Sequence, residues 1–571
     1  MSTLYQEIIA QDLVREERLL RAEERALNKE KNKDVEGDLR IDLSDYIRQS
    51  KNSKERAKYR KVTHLLAYKN LKPQDVLLMQ VPNINESGYY AGVVSLRSYF
   101  KKFNPEISVK IIDPVIDYFA ENPPDKKSEF FRLFNTYTEQ GNYELLFKYK
   151  EINDIVDSYI SKYIEKGKPK FVGFSIIDGN VDATLAICKL VKEKWPEIKL
   201  IIGGNGVQLL NWGYAPITEY KYDDYNFVDY IVRGDGEVTL TELVLSDQIP
   251  KTLKNIKGLI WRNEHNKIVD NIPRDNTELD ILPYPDYSDL MDNYYYKQSY
   301  GGAVPINFSR GCPYRCTFCS VPTFIPLFRY RPLDNVLKEM ESWIKQDKRA
   351  FFCHDSIVNG DPEWVERLCN AIIDKGWADG QPYSDTSGNI TWGGNFRLQS
   401  PMRNLETLKL YNNAGVDRMI IGLESASEPV LKHMKKYGSI KGTREIFENI
   451  REVNKTSKRP IKIMLQLIIG YLNEGEEDFQ KTMDFVEEFH DVIHEVLTCS
   501  AFLLWDPLEK SWKKEGKYLE YKNNVEWETE YNTVDDRLDR LDRIEELFKK
   551  LDITYNVYHR GVYKQKIAKN I

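Results

Sequence analysis

The sequence predicts an α/β chain: an open parallel sheet, then a second parallel β/α series, with helical segments at both ends. Three observations predict it. Short apolar runs alternate with amphipathic segments from residue 75 to about residue 250, the pattern of strands covered on both faces by helices. The loops after those runs are rich in glycine and small polar residues. The alternation stops at a proline-punctuated stretch, resumes near Asn307 and runs to about Phe502. At 571 residues the chain exceeds what one core organises.

Composition narrows the class. An apolar fraction of 41% and a charged fraction of 30% suit a well-solvated globular protein, and a net charge of -6 exerts no global pull on nucleic acid or anionic lipid. No apolar run reaches the about 18 residues of a membrane span, and "MSTLYQEIIAQDLVREERLL" lacks a signal-peptide pattern. Seven cysteines, three of them clustered, argue against a disulfide framework and for a reducing, cytoplasmic setting.

The elements follow in order. Residues 1–70 form a charged helical extension. Within it, "LVREERLLRAEERALNKEKNKD" repeats Leu13, Leu20 and Leu27 every seven positions, but the intervening positions are charged. That is a solvated helix rather than a coiled coil, with docking of a small partner or RNA as the alternative use. Residues 71–250 form the first α/β domain. Its strands are "DVLLMQV" (Asp75–Val81), "VKIID" (Val109–Asp113), "FVGFS" (Phe171–Ser175), "KLIIGG" (Lys199–Gly204) and the apolar part of "VDYIVRGDGE" (Val228–Glu237). Its helices include "VVSLRSYFKKF" and "DATLAICKLVKEKW". Ligands of such sheets sit beyond the strands' carboxyl ends. Here those ends read VPN, FSIIDG, GGNG and RGDGE, where glycine allows close backbone approach. Ordinary β-to-α turns favour glycine too.

Residues 251–295, with "LPYPDYSDL", read as a connector, 296–504 as the second series, and 505–571 as a helical C-terminal region. There "VDDRLDRLDRIEELFKKLDI" is a helix with a solvated charged face. The aromatic "DNYYYKQSYGG" (Asp292–Gly302) suits either stacking on a planar substrate or interdomain packing. In "HDVIH", His490 and His494 are expected on one helix face, but the zinc-protease pattern needs Glu where Asp491 stands.

"SRGCPYRCTFCSVP" sets Cys312, Cys316 and Cys319 in a loop after a strand candidate. The spacing C-x3-C-x2-C is one ligand short of four. A structural zinc site shows four ligands, and no fourth stands near: Cys353 is distant, and His354 follows a separate strand pattern. Three thiolates can instead hold three irons of a 4Fe–4S cluster and leave the fourth iron open.

This spacing, with Phe318 before the last cysteine, resembles the signature of the radical S-adenosylmethionine (SAM) superfamily. Four further stretches are similar in that family's order: "FFCHDSIVNGDPEWVERLC", "WGGNFRL" (Trp392–Leu398), "LYNNAGVDRMIIGLESASEPVLKHMKK" with its Gly422, Glu424 and Ser425, and "IMLQLIIGYLNEGEEDFQKTMDF". The last departs from the pattern, with Leu472-Asn473 for the usual Pro-Gly and Gly475 for the usual Thr. Upstream, "VGFSIIDG", "IIGGNG", "VDYIVRGDGE", "IKGLIWR" and "LPYPDY" occur in the order of the cobalamin-binding domain of one large subgroup. The Asp-x-His-x-x-Gly motif is absent, and "VPNINESG" carries no histidine, so that loop offers the cobalt no imidazole.

The resemblance implies a Rossmann-like cobalamin-binding domain followed by a partial (β/α)6 TIM-like barrel. It implies a 4Fe–4S cluster on Cys312, Cys316 and Cys319, and SAM held by the open iron and by Phe318, Arg397, Glu424 and Ser425. Cobalamin would contact Pro82, Asn83, Ser175, Gly203, Gly204, Asn205, Gly206, Gly234, Gly236 and Glu237. Arg397 has a surface or core-edge arginine as its alternative. Asp355 is a candidate contact to SAM or substrate, or a turn residue. One electron, from a donor such as flavodoxin or ferredoxin, would cleave SAM to methionine and a 5′-deoxyadenosyl radical. The implied outcome is methyl transfer from cobalamin to an unactivated carbon. Cyclisation, rearrangement or oxidation, with cobalamin a redox partner or absent, and a non-catalytic cobalamin or cluster sensor are the alternatives. The substrate class (small molecule, peptide, lipid or nucleic acid) is open.

Overall fold

The computed structural model describes residues 76–81, 91–112, 114, 143–177, 180–207, 225–287, 303–325, 327–378, 389–436, 438–504 and 506–558. The charged extension, Pro82, Asn83 and Asp292–Gly302 lie outside them.

The first sheet has seven strands: β1 (Val76–Gln80), β2 (Val109–Ile112), β3 (Phe171–Ser175), β4 (Lys199–Gly203), β5 (Tyr230–Val232), β6 (Leu259–Arg262) and β7 (Ile268–Asp270), in the order β2-β1-β3-β4-β5-β6-β7. The first five pair in parallel. Alternate residues enter opposite faces. Val76, Leu78, Phe171 and Ile201 pack beneath helices α1 (Ala91–Phe103) and α3 (Gly236–Leu245), whereas Leu77, Met79, Val172 and Leu200 pack on α2 (Val181–Lys194). Because both faces are covered, the central strands are near-continuous apolar runs, FVGFS in β3 and LIIG in β4. The order changes direction at β1, so the crevice at the carboxyl ends of β1 and β3 is a topological switch point.

The connector begins later than expected. β6 runs antiparallel to β5 and β7 antiparallel to β6, through a turn with Asn266 at φ 57. Residues 259–270 therefore extend the first sheet, and the extended stretch over the cleft starts only after them.

The second sheet contains β8 (Val304–Ile306), β11 (Ala350–Cys353), β12 (Thr391–Phe396), β13 (Val416–Glu424), β14 (Lys462–Ile469), β15 (Ile493–Ala501) and β18 (Thr554–Tyr558). Two short antiparallel pairs lie beside it, β9 (Ser309–Arg310) with β10 (Arg329–Tyr330) and β16 (Glu520–Tyr521) with β17 (Trp527–Glu528). All seven strands are parallel and neighbours in chain order, the winding of a (β/α) barrel. The ladder is open, with β8 and β18 as its edges among the described residues. Intervening helices include α4 (Leu333–Ile344), α5 (Pro362–Asp374), α6 (Leu405–Asn413), α7 (Glu428–His433), α8 (Ile440–Thr456) and α9 (Glu476–Glu488). α5 shows why they start where they do: Asp361 accepts the Glu363 and Trp364 N–H groups, with Pro362 at the first helical position.

The C-terminal region is helical in α10 (Asp506–Lys514) and α11 (Val534–Lys550), and it also delivers β18, a seventh strand paired with β15. The charged face of α11 is not wholly solvated. Arg537 is fully buried over the Trp527 ring and donates to the Trp527 and Val525 carbonyls at 2.7 and 3.1 Å and to Asn532 Oδ1 at 2.7 Å. Arg540 is also buried and donates to the Glu474 carbonyl at 2.9 Å. His490 and His494 do not share a helix face either, since His490 follows the end of α9 and His494 lies in β15. No helix among the described residues is long and apolar enough to cross a membrane.

Candidate active site

The carboxyl ends of both sheets open on one cleft. Ser175, Gly203, Gly204, Asn205, Gly234 and Gly236 line it from the first sheet, and Asn307, Ser309, Arg310, Gly311, His354 and Asp355 from the second. Its cavity volume is about 320 Å3, at the lower end of the roughly 300–1,000 Å3 of small-ligand pockets. Gly234, at φ 73, has nothing within 4 Å of the position a Cβ would take, so the loop offers bare backbone to a ligand. Gly206 differs from the expectation. Its missing Cβ would strike Ile176 Cγ2 at 2.6 Å, so it is a packing glycine.

The cysteine loop borders this cleft through Arg310, Gly311 and Ile325. Cys312, Cys316 and Cys319 are free and half-buried. Burial pushes the Cys319 thiol up to about 12, the Val321 N–H opposes this, and Cys316, Cys312 and Glu424 add to it. Cys312 is raised by burial as well, with Arg397 and Lys436 among the groups pulling it back. Without metal the loop therefore keeps the Cys312 and Cys319 thiols protonated, and loading must displace their protons. Among the described residues no three His, Cys, Asp or Glu side chains are grouped as they would be around a single metal ion.

Two cationic groups flank the thiols. Arg397 is buried, donates from Nη1 to Cys316 Sγ at 3.5 Å and stacks on Tyr314 with its guanidinium carbon 3.9 Å from the ring centre. Lys436 Nζ lies 2.8 Å from Glu424 Oε1 and 5.9 Å from the Phe318 ring centre. Glu424 ends β13 with φ at 64, and the register with β14 shifts between Gly422 and Glu424. The space a Cβ would fill at Gly422 is occupied by this ion pair. Gly-x-Glu is thus a bulge that turns a carboxylate toward the cysteine loop.

Ser425 departs from its expected role. It is fully buried, its hydroxyl takes the Ser427 N–H at 3.2 Å, and it lies 3.4 Å from Thr482 Oγ1 on α9. It fixes the backbone beside Glu424 instead of facing a ligand. Asp355 is likewise engaged: it accepts from Phe308 N at 2.9 Å and Ser309 Oγ at 2.6 Å, clamping the segment that leads into the cysteine loop. Burial raises this carboxyl to about 6 against those hydrogen bonds. Next to it, burial lowers His354 to about 4, which keeps the imidazole neutral.

Glu237 is not free for a ligand. Arg310, two residues before Cys312, reaches Glu237 Oε1 at 2.5 Å and Asp235 Oδ1 at 2.9 Å, and Ser95 donates to Glu237 Oε1 at 2.8 Å. Asp235 Oδ2 also takes Arg329 Nη1 at 2.9 Å and the Thr277 N–H at 2.8 Å. Burial would raise the Asp235 carboxyl, but Arg310 and Arg329 hold it below the usual range. Asp235, Arg310, Arg329, Lys436 and Tyr314 carry no signal in the spacing of residues, because their partners are distant in sequence.

Residues 306–486 match the model of the Radical SAM superfamily. The anaerobic magnesium-protoporphyrin IX monomethyl ester cyclase of Synechocystis sp. is 26% identical over 53% of this chain and 58% of its own length. The hopanoid C-3 methylase of Methylococcus capsulatus is 21% identical over 69% and 70%. The chain spans a little over half the length of the first curated relatives it matches, from 52% to 60%. Among solved structures, the radical SAM methyltransferase TsrM of Kitasatospora setae superposes with a TM-score of 0.54 at 18% identity, covering 75% of this chain and 73% of TsrM. The cobalamin-dependent SAM radical enzyme OxsB gives 0.52 at 16%, covering 85% and 62%. These two share the fold. The chain thus carries a domain of the Radical SAM superfamily at residues 306–486, within a two-sheet fold shared with TsrM and OxsB.

Proposed function

We propose that this chain is a cobalamin-dependent radical SAM enzyme that methylates an unactivated carbon. The observation that carries the reading is the cleft lined both by the first sheet's glycine loops and by Arg310, Gly311 and Ile325, which flank the three cysteines on either side. In this reading residues 71–250 and 296–504 are its cobalamin and radical SAM domains, with residues 259–270 added to the first.

The residues fit the groups the family implies. Three free thiols on one loop, with Arg397 and Lys436 beside them, suit iron, which prefers soft anionic ligands. Cys312, Cys316 and Cys319 would hold a 4Fe–4S cluster, while Ser175, Gly203, Gly204, Asn205 and Gly234 would face cobalamin. When bound, these groups supply reductive cleavage of SAM to a 5′-deoxyadenosyl radical and a methyl group to transfer. The chain's own part is binding and orientation. Arg397, held flat by Tyr314, suits the carboxylate of SAM, since a guanidinium pairs planar carboxylates two atoms at a time. Glu424 and Lys436 present one acceptor and one donor cluster to the amino group and ribose, and Phe318 offers a face for adenine. A flavodoxin- or ferredoxin-like donor would supply the electron. None of the seven cysteines forms a disulfide, which suits the reducing cytoplasm.

Anaerobically reconstituted protein loaded with cobalamin should convert SAM to both 5′-deoxyadenosine and S-adenosylhomocysteine when given its substrate. Replacing any of Cys312, Cys316 or Cys319 by Ala should abolish both products. A reconstituted chain that never cleaves SAM would leave only the sensor reading. Detection of 5′-deoxyadenosine alone would favour a second reading, radical cyclisation or oxidation, which the cyclase among the relatives motivates.

A further inference from the structure

The ion-pair group between the sheets lies directly before the first cysteine, and three features set it apart from a surface charge pair. Asp235 stands at the N-cap of α3, where an aspartate ordinarily accepts a first-turn N–H. Its side chain makes no such bond and turns to Arg310, Arg329 and Thr277 instead. Glu237 is 3% exposed, and a carboxylate so deep is tolerated only with its charge and lone pairs satisfied, here by Arg310 and Ser95. Between Arg310 and Cys312 stands only Gly311, at φ 88, whose Cβ position lies 2.5 Å from the Leu327 carbonyl oxygen. The anchor therefore reaches the first thiol through one residue that is packed against the backbone at Leu327, just before β10.

The carboxylates belong to the loop whose Gly234 and Gly236 line the cleft from the first sheet. Arg310 belongs to β9, whose partner residue in β10 is Arg329, the second arginine on Asp235. Both strands of that ribbon are thus tied to one loop of the other sheet.

We propose that Arg310 is a positioning residue, through which Asp235 and Glu237 of the first sheet set the stance of the cysteine loop over the shared cleft. This rests on the proposed cluster at Cys312, Cys316 and Cys319. The two halves of the site are registered by this ion pair rather than by sheet packing alone. A charge on the first sheet, far in sequence from every cysteine, thereby governs how the cluster receives SAM.

The test reads the electron paramagnetic resonance spectrum of the reduced, reconstituted cluster as SAM is titrated in, with iron content measured on the same samples. Glu237→Gln and Arg310→Gln should retain iron yet require about 10-fold more SAM for the spectral change, the usual scale for losing an outer-sphere partner. Arg310→Lys should recover part of the shift. Lys101→Met removes the exposed Lys101–Asp286 pair on α1 and should titrate like the wild type. If Arg310→Gln fails to fold, Glu237→Gln and Arg310→Lys carry the comparison. The proposal is overturned if Glu237→Gln titrates like the wild type, or if Lys101→Met shifts the titration equally. A wild-type chain that takes up no iron overturns the proposed function, and this inference with it.

Discussion

Glu424 holds a left-handed backbone, φ 64, where a residue with a Cβ carries about 1–3 kcal/mol of strain. The surroundings over-determine it. Lys436 fixes its carboxylate, Ser425 locks the next backbone unit through Ser427, and Gly422 leaves room for the ion pair. A methyl group at Gly422 would displace the Glu424 carboxylate and Lys436 ammonium without touching a thiol. Gly422→Ala should therefore keep its iron while SAM cleavage falls about 100-fold, the scale of a misplacement near 1 Å. Iron assay and 5′-deoxyadenosine formation on the same sample check this. Loss of iron, or cleavage at the wild-type rate, would show that the bulge does not aim Glu424 at SAM. At this scale the sequence pattern set Glu424 and Ser425 alike toward SAM, whereas the structure turns Glu424 to the cysteine loop and buries Ser425, because Gly-x-Glu-Ser does not show which way each side chain points. The bulge decides that.

The turn from β14 to α9 is where the chain departs from the Radical SAM pattern that residues 306–486 match. Leu472 and Asn473 stand where a proline and glycine would shape the turn. Here neighbours shape it. Leu472 is fully buried, Thr529 Oγ1 donates to the Leu472 carbonyl at 2.8 Å, Asn532 Nδ2 to the Tyr471 carbonyl at 3.0 Å, and Arg540 to that of Glu474. The Glu474 side chain accepts the Gly470 N–H, and burial raises this carboxyl to about 7 despite that bond and Arg540. The folded chain thus keeps a proton that the unfolded chain loses at lower pH. Between the ordinary carboxyl range and about pH 7 the native state binds more protons, so stability falls as pH rises through that window. Glu474→Gln removes the titration. The wild-type chain should lose stability relative to this variant between pH ~5 and ~8, as followed by urea midpoints. A constant difference across that range would place the Glu474 pKa outside it.

Across the whole molecule, legibility followed the range of the interactions. "FVGFS" was legible residue for residue as β3, because a strand buried on both faces is a continuous apolar run whatever its neighbours are. The cysteine loop stood out because its three thiols fall within eight positions. The Arg310–Glu237 pair was not, since its members stand 73 positions apart and each reads as a loop charge. β18 was hidden for the same reason: "TYNVY" follows a charged helix, and only its pairing with β15 makes it a strand. That pairing argues against ending the second domain at residue 504. A chain stopped there loses β18 and leaves β15, nine residues long, as an unpaired edge. It also loses the Thr529, Asn532 and Arg540 donors to the β14–α9 turn and uncovers Leu541, Ile544 and Phe548's share of the core. Long unpaired edges template association, and unpaired buried carbonyls cost about 1–3 kcal/mol each. The truncated chain should therefore aggregate on size-exclusion chromatography, even though every cysteine and every residue proposed to face SAM is present. A monomeric product with a cooperative melt would show that the parallel series closes its own core by β15, and that the C-terminal region is an addition to the fold rather than its last strand.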